Sequence, residues 1–201
     1  MTAGDDGNMT VPLVDLQWPR ATERLTFRPA VEEDLPSVFT YRRRPEVSAW
    51  LPTMPTDEAA FVDRLKAPDR LSLTYALELD GGLIGDLFLA VEDSWAQHEV
   101  ADRARATKAE IGWALDPAHQ GKGYATEAGA GLLRLCFEDL GLHRVVAQCF
   151  ADNEPSWRVM ERVGMRREVF RRADALHRSG RWLDGVEYAL LAEEWGLAHR
   201  H

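Results

Sequence analysis

Short apolar segments bounded by turn residues predict strands at 25–28, 71–79, 83–91, 108–115, 144–151, 165–176 and 182–192. Asp80-Gly81-Gly82 joins the second and third of these as a hairpin, and Ser179-Gly180 lies between the last two. Helical patterns fall between them. Residues 31–43 open on Glu32, Glu33 and Asp34, carry Pro36 in the first turn and stop before Pro45. Thr56-Asp57-Glu58 caps a helix that runs to Leu65. Across 122–140, Ala125, Ala128, Leu132, Leu135 and Cys136 share one face, and Gly141 ends the run. Asn153 caps the next helix, Pro155 sits in its first turn and Val163-Gly164 closes it. Strand 108–115, helix 122–140 and strand 144–151 make a right-handed crossover, which forces two neighbouring strands to run parallel in a sheet that hairpins otherwise make antiparallel. The expected class is therefore mixed α/β, with helices flanking a central, mostly antiparallel sheet. Residues 1–20, rich in Gly, Asp, Thr and Pro, read as an N-terminal arm in which Trp18 is the packing candidate, and 21–197 as one domain. The polar stretch 92–106 reads as a long loop.

With 201 residues and 45% hydrophobic content, the chain supports a single buried core. Its formal charge of −9 argues against sequence-independent binding to nucleic acid or an anionic membrane and favours a cationic or amine partner. Arg42-Arg43-Arg44 and Arg166, Arg167, Arg171 and Arg172 are local exceptions, expected to be solvated or phosphate-facing. No apolar run reaches the roughly 20 residues that span a bilayer, and the first 20 residues lack a signal-peptide pattern, so a cytoplasmic protein is expected. Cys136 and Cys149 lie in apolar runs without metal-ligand spacing, so neither a disulfide framework nor a metal site is expected.

The chemistry concentrates at 109–127. An apolar strand stops at Asp116-Pro117, glycines follow at 121 and 123, and a helix then begins, so that free N–H groups and a helix dipole converge on one point. That is an anion site suited to phosphate. A dinucleotide fingerprint needs three glycines spaced G-x-G-x-x-G, which this run lacks, and a plain turn is the remaining alternative.

Gln120-Gly121-Lys122-Gly123-Tyr124-Ala125 resembles the Q/R-x-x-G-x-G/A signature of the GCN5-related N-acetyltransferases. Asn153-Glu154-Pro155-Ser156 with Met160-Glu161-Arg162-Val163-Gly164-Met165, and the terminal Tyr188-Ala189-Leu190-Leu191-Ala192-Glu193-Glu194-Trp195, are similar to the branch that acetylates ribosomal-protein N-termini. The resemblance covers about 24–195. It implies the acetyltransferase fold, with two splayed parallel strands, and acetyl-CoA as cosubstrate, its pyrophosphate on the backbone of Gln120, Gly121, Lys122, Gly123, Tyr124 and Ala125. It further implies that the thioester arm lies along the main chain of Trp113, Ala114 and Leu115. Asn153 would both cap its helix and bond the pantetheine, or only cap it.

Glu110 shares the alternation face of Gly112 and Ala114, where small residues leave room for a substrate; it is the candidate base or amine-binding group, with a structural carboxylate as the alternative. The tyrosine many relatives use to protonate the leaving thiolate is replaced by Met160. Ser156 is the candidate donor instead, unless it only caps its helix. Trp50, Trp157 and Trp182 are candidates to border an acceptor cleft, or core. His98, His119, His143 and His177 carry no ligand spacing. The expected reaction is direct acetyl transfer to a primary amine, favouring a protein or peptide N-terminus. A small-molecule amine, or a non-catalytic acyl-CoA-binding module, is the alternative, and a homodimer is compatible with the resemblance.

Overall fold

The structure, a computed structural model, describes residues 16–198. Eight of its segments pair into one sheet: β1 (Arg20–Ala21), β2 (Leu25–Pro29), β3 (Thr74–Leu79), β4 (Gly82–Glu92), β5 (Lys108–Leu115), β6 (Arg144–Phe150), β7 (Arg166–Leu176) and β8 (Trp182–Leu191), in the order β1-β2-β3-β4-β5-β6-β8-β7. The helices are α1 (Leu35–Arg42), α2 (Pro45–Ser48), α3 (Glu58–Leu65), α4 (Pro68–Leu71), α5 (Tyr124–Arg134), α6 (Glu154–Arg162) and α7 (Ala192–Ala198). Every strand pair is antiparallel except β5 with β6. That exception matters most. Lys108–Glu110 pairs with Arg144–Val146 and the ladder then stops, although β5 stays paired to β4 as far as Leu115 and β6 to β8 as far as Phe150. The sheet therefore opens between two strands that are each held firmly on their outer edge.

Strand alternation divides the core in two. On one face Phe27, Leu77, Leu87, Ile111, Val145 and Tyr188 meet Ala128, Leu132 and Leu133 of α5 and Met160 of α6. On the other, Leu35, Val38 and Phe39 of α1 and Phe61 and Leu65 of α3 close over Ala114. The spacing of these residues by three and four along each helix is what aims them at the sheet. Asp57 caps α3 by accepting from the Ala60 N–H at 2.8 Å.

Several boundaries differ from expectation for local reasons. The acids at 32–34 form a 3-10 turn before α1, as Asp34 bonds back to the Val31 N–H at 2.9 Å. Leu71 ends α4 rather than starting β3. The helix expected from Lys122 begins at Tyr124, because Gly123 takes a left-handed conformation, and it loosens to a π turn at Leu135–Asp139. Residues 1–15 of the expected arm lie outside the described residues. Leu16 and Trp18 pack on the core, Trp18 with ring centroids 6.0 Å from Phe27 and 5.4 Å from Tyr75. The loop after β4 contains a 3-10 segment, His98–Ala104, and exposes Trp95.

One arginine of the clusters departs from the expected solvated or phosphate-facing placement. Arg42 turns inward: its Nε lies 2.9 Å from Asp86 Oδ1, its Nη2 also bonds that carboxylate, and the Tyr41 hydroxyl donates to the same oxygen at 2.7 Å. Burial opposes the charge on Arg42, but Asp86 outweighs it and holds the guanidinium pKa up. Arg166 pairs with Glu168 and Glu194, and Arg171 with Glu187. Because Asp86 is almost wholly buried, Asp86→Asn leaves Arg42 with a neutral partner and should cost about 2 kcal/mol, the value of a charged hydrogen bond lost inside a protein. Urea unfolding measures it, and an unchanged midpoint would show that solvent reaches this pair.

Candidate active site

The loop between β5 and α5 is shaped by its carbonyls as much as by its glycines. Gly121 and Gly123 take φ of +74° and +82°, a region in which a side chain would be strained. A Cβ on Gly121 would stand in open space, and one on Gly123 would meet only Arg24 Nη2, at 3.5 Å. Three side chains then hold loop carbonyls from behind: Gln120 Nε2 on Leu115 at 3.1 Å, Lys122 Nζ on Ala118 at 3.0 Å, and Arg24 Nη1 on Lys122 at 3.2 Å. The first helical hydrogen bond runs from the Glu127 N–H to the Gly123 carbonyl at 3.0 Å. Consequently the N–H groups of Gly123, Tyr124, Ala125 and Thr126 have no acceptor among the described residues, as the start of a helix requires. Bare N–H groups, no side chain in front and a helix dipole behind together fit a diphosphate. Nearby, His119 stacks toward Tyr124 at 6.4 Å, and its Nδ1 is buried without a hydrogen-bond partner.

The gap between β5 and β6 opens after Glu110 and runs along β5 to Leu115, where this loop starts. The Ala114 carbonyl faces β4, since a Cβ on Gly85 would lie only 2.5 Å from it, and the Asp116 N–H donates to Ile84 at 2.9 Å on the same side. Alternation then turns the main chain of Ile111, Trp113 and Leu115 toward the gap. Of the three residues named for the thioester arm, Trp113 and Leu115 present backbone there, with the Leu115 carbonyl already taken by Gln120. Ala114 contributes its side chain, packed against α1 and α3.

Glu110 lies at the point where β5 and β6 part, half-buried, on the face it shares with Gly112 and Ala114. Gln148 Nε2 donates to Glu110 Oε1 at 3.0 Å, which fixes one carboxylate oxygen. Phe150 follows Gln148 on that face of β6. Its ring centroid is 6.1 Å from Trp50 and 5.5 Å from His177. The β7–β8 turn is fastened over this corner, with His177 Nε2 2.9 Å from the Ala49 carbonyl and Arg178 Nη2 2.8 Å and 2.6 Å from the Ser48 and Leu51 carbonyls. Of the three tryptophans, Trp50 belongs to this wall. Trp157 packs on the core and donates to the Ala151 carbonyl at 3.1 Å, and Trp182 is exposed on β8.

Across the gap, α6 starts without the side-chain cap expected of Asn153. Its carbonyl accepts from the N–H groups of Ser156 at 3.1 Å and Trp157 at 3.3 Å, while the side chain makes no capping bond. The cause is its backbone, whose ψ of 65° is not the extended conformation in which an N-cap side chain folds over the helix. Ser156 makes no capping bond either; its hydroxyl and the Trp157 N–H lie beside the Cys149 thiol. Burial pushes that thiol up to about 11 against these two donors, and burial alone raises Cys136 further. Both are protonated thiols at neutral pH. Among the described residues no group of three His, Cys, Asp or Glu side chains is placed to hold a metal ion, and no helix is long and apolar enough to cross a membrane.

Sequence reasoning named Trp50 but missed Gln148 as the partner of Glu110, Phe150 and His177 as the neighbours of Trp50, and the Arg24 contact behind the loop. Alternation on β6 was the one available signal, since it places Gln148 two residues before Phe150 on a shared face.

The acetyltransferase (GNAT) domain family matches residues 24–166. The chain is 33% identical over 177 residues to an N-acetyltransferase of Bacillus subtilis, YnaD, covering 87% of this chain and 97% of that protein. Among solved structures, a GNAT-family acetyltransferase from Bacillus anthracis superposes with a TM-score of 0.73 at 30% identity, covering 87% of this chain and 98% of the other. Mycobacterium smegmatis RimJ, in complex with CoA-disulfide, superposes with a TM-score of 0.69 at 25% identity, covering 88% and 90%.

Proposed function

Because the chain belongs to the GNAT family of acetyl-CoA-dependent N-acetyltransferases, we propose that it acetylates the N-terminal amine of a protein or peptide by direct attack. The observation that carries this reading is Glu110, a carboxylate held by Gln148 on the small-residue face of the opened sheet. Acetyl-CoA supplies the acetyl group as a thioester. The free N–H groups of Gly123 to Thr126 hold its diphosphate, and the main chain of Trp113 and Leu115 aligns its arm in the gap. An amine reaches neutral water mostly protonated. Glu110 accepts that proton, and an N–H on the exposed edge of β5 stabilises the negative oxygen as the amine adds. As the intermediate collapses and the C–S bond breaks, Ser156 takes the role left open by Met160: it gives its proton to the departing thiolate and regains one from the nitrogen, which must shed it to become the amide. Direct attack is supported by the cysteines, since neither protonated thiol adjoins a base.

A polypeptide acceptor is supported by the floor beyond Glu110, where Gln148 is exposed and Glu187 lies on the neighbouring strand. An extended chain has room there, with the aromatic corner of Trp50 and Phe150 for its first side chain. The likeness to RimJ points the same way. Incubation with acetyl-CoA and a panel of peptides and small polyamines or aminoglycosides, read by mass spectrometry, tests it. Peptide α-nitrogens should be acetylated with kcat/KM at least about tenfold above any small amine. A small amine preferred by that margin overturns the acceptor assignment, and CoA binding without turnover on either panel overturns the enzymatic one.

Ser156→Ala should lower kcat by about 10- to 100-fold with the CoA dissociation constant unchanged. Normal turnover with a lowered melting temperature would reduce Ser156 to a packing partner of Cys149.

A further inference from the structure

We propose that Arg24, which lies outside every motif that marks the loop, is a diphosphate-binding residue that also holds the loop in its receptive shape; this rests on the reading that the diphosphate occupies that turn. Arg24 stands just before β2, far along the chain from the loop it touches. Its Nε donates to Glu127 Oε2 at 2.7 Å, its backbone N–H to Glu127 Oε1 at 2.7 Å, and its Nη1 to the Lys122 carbonyl at 3.2 Å. The guanidinium lies over the Tyr124 ring, 4.7 Å from the centroid. Thr22 completes the fastening through its hydroxyl, 2.5 Å from Glu127 Oε1. With Nε and Nη1 engaged, Nη2 has no acceptor among the described residues, and it lies 3.5 Å from where a Cβ on Gly123, one of the two left-handed glycines of the loop, would stand.

Two consequences follow from charge. Glu127 sits in the first turn of α5, an anion beside an anion site. Burial opposes its ionisation, but the Thr22 hydroxyl and Arg24 outweigh that and keep its carboxyl below the usual range. It is therefore ionised at neutral pH, and without Arg24 it would repel a diphosphate. Arg24 neutralises it, draws the Lys122 carbonyl away from the incoming oxygens, and still has one charged N–H left to donate. Lysine carries the charge but lacks the planar fork needed to hold a carboxylate, a carbonyl and a phosphate oxygen together.

Calorimetric titration of Arg24→Ala and Arg24→Lys with CoA, dephospho-CoA and pantetheine tests this. Arg24→Ala should weaken CoA and dephospho-CoA alike by about 10- to 30-fold and leave pantetheine unchanged, with Arg24→Lys recovering part of the loss. Thermal melting of both variants checks that they are folded, and Arg24→Lys serves alone if the alanine variant is not. Unchanged CoA affinity in Arg24→Ala overturns the inference. So does a loss confined to CoA, which would place Arg24 on the 3′-phosphate, or a loss shared by pantetheine, which would make it a general packing effect. Failure of the unaltered protein to bind CoA at all would instead sink the underlying site.

Discussion

Gly123→Glu is expected to raise the dissociation constant for CoA about a thousandfold while the protein stays folded. The left-handed backbone at Gly123, φ +82°, costs a non-glycine residue about 1–2 kcal/mol of folding stability, with CoA bound or absent. The new carboxylate then projects into the cradle, where a like charge about 4 Å from a phosphate oxygen costs about 4 kcal/mol at the effective dielectric of a protein surface. The fold itself is buffered, because a negative side chain at a helix N-terminus is favourable by about 0.3–1 kcal/mol and Arg24 lies beside it. Gly123→Ala carries the backbone cost without the charge and should lower the melting temperature while keeping most of the affinity. Calorimetry with a parallel melting curve reads both quantities, and near-normal affinity in the glutamate variant would remove the diphosphate from this loop.

Glu110→Gln is expected to lower kcat on a peptide acceptor by about 10²- to 10⁴-fold with CoA affinity intact. Glutamine keeps the shape and the contact to Gln148 but cannot take a proton. The deficit should shrink as the pH rises from 6 to 9, because an α-amine with a pKa near 8 increasingly arrives already deprotonated. A variant impaired only in KM for the acceptor, by the same factor at every pH, would make Glu110 an ammonium-binding group rather than the base.

Much of the fold was legible because its determinants are local. The hairpin at Asp80-Gly81 is one case: both residues take positive φ, 51° and 79°, as the two-residue turn of a twisted hairpin demands. The apolar face of α5 and the π turn after it is another, with Ala128, Leu132, Leu135 and Cys136 all found in the core. The parallel pair followed from a strand-helix-strand crossover, and the gap beside it from the family resemblance. What escaped were contacts between distant segments. Arg42 meets Asp86 across 44 positions and Arg24 meets Glu127 across 103, and no periodicity encodes such distances. Three adjacent arginines read as solvated or phosphate-facing because composition cannot reveal that the first of them turns in to Asp86 of β4. Asn153 misled for a related reason: residue type favours a side-chain cap, but the backbone angle that decides it is set by how β6 delivers the chain to α6.

In the candidate site, glycine spacing located the loop, but not the reason its N–H groups are free. That reason is the start of α5, whose first hydrogen bond runs from the Glu127 N–H to the Gly123 carbonyl, while Gln120, Lys122 and, from another part of the fold, Arg24 hold the Leu115, Ala118 and Lys122 carbonyls. Glu110 stood out as a carboxylate in an apolar strand, whereas its dependence on Gln148 required the register of β5 against β6.

The most direct measurement of the central claim, that exposed main chain at the β5–α5 turn grips a diphosphate, is a pair of titrations of the unaltered protein with CoA and with pantetheine. CoA should bind at least about a hundredfold more tightly, the difference supplied by charge-assisted N–H contacts worth roughly 1.5–3 kcal/mol each. Equal affinity for the two ligands, or no affinity for CoA, would contradict it.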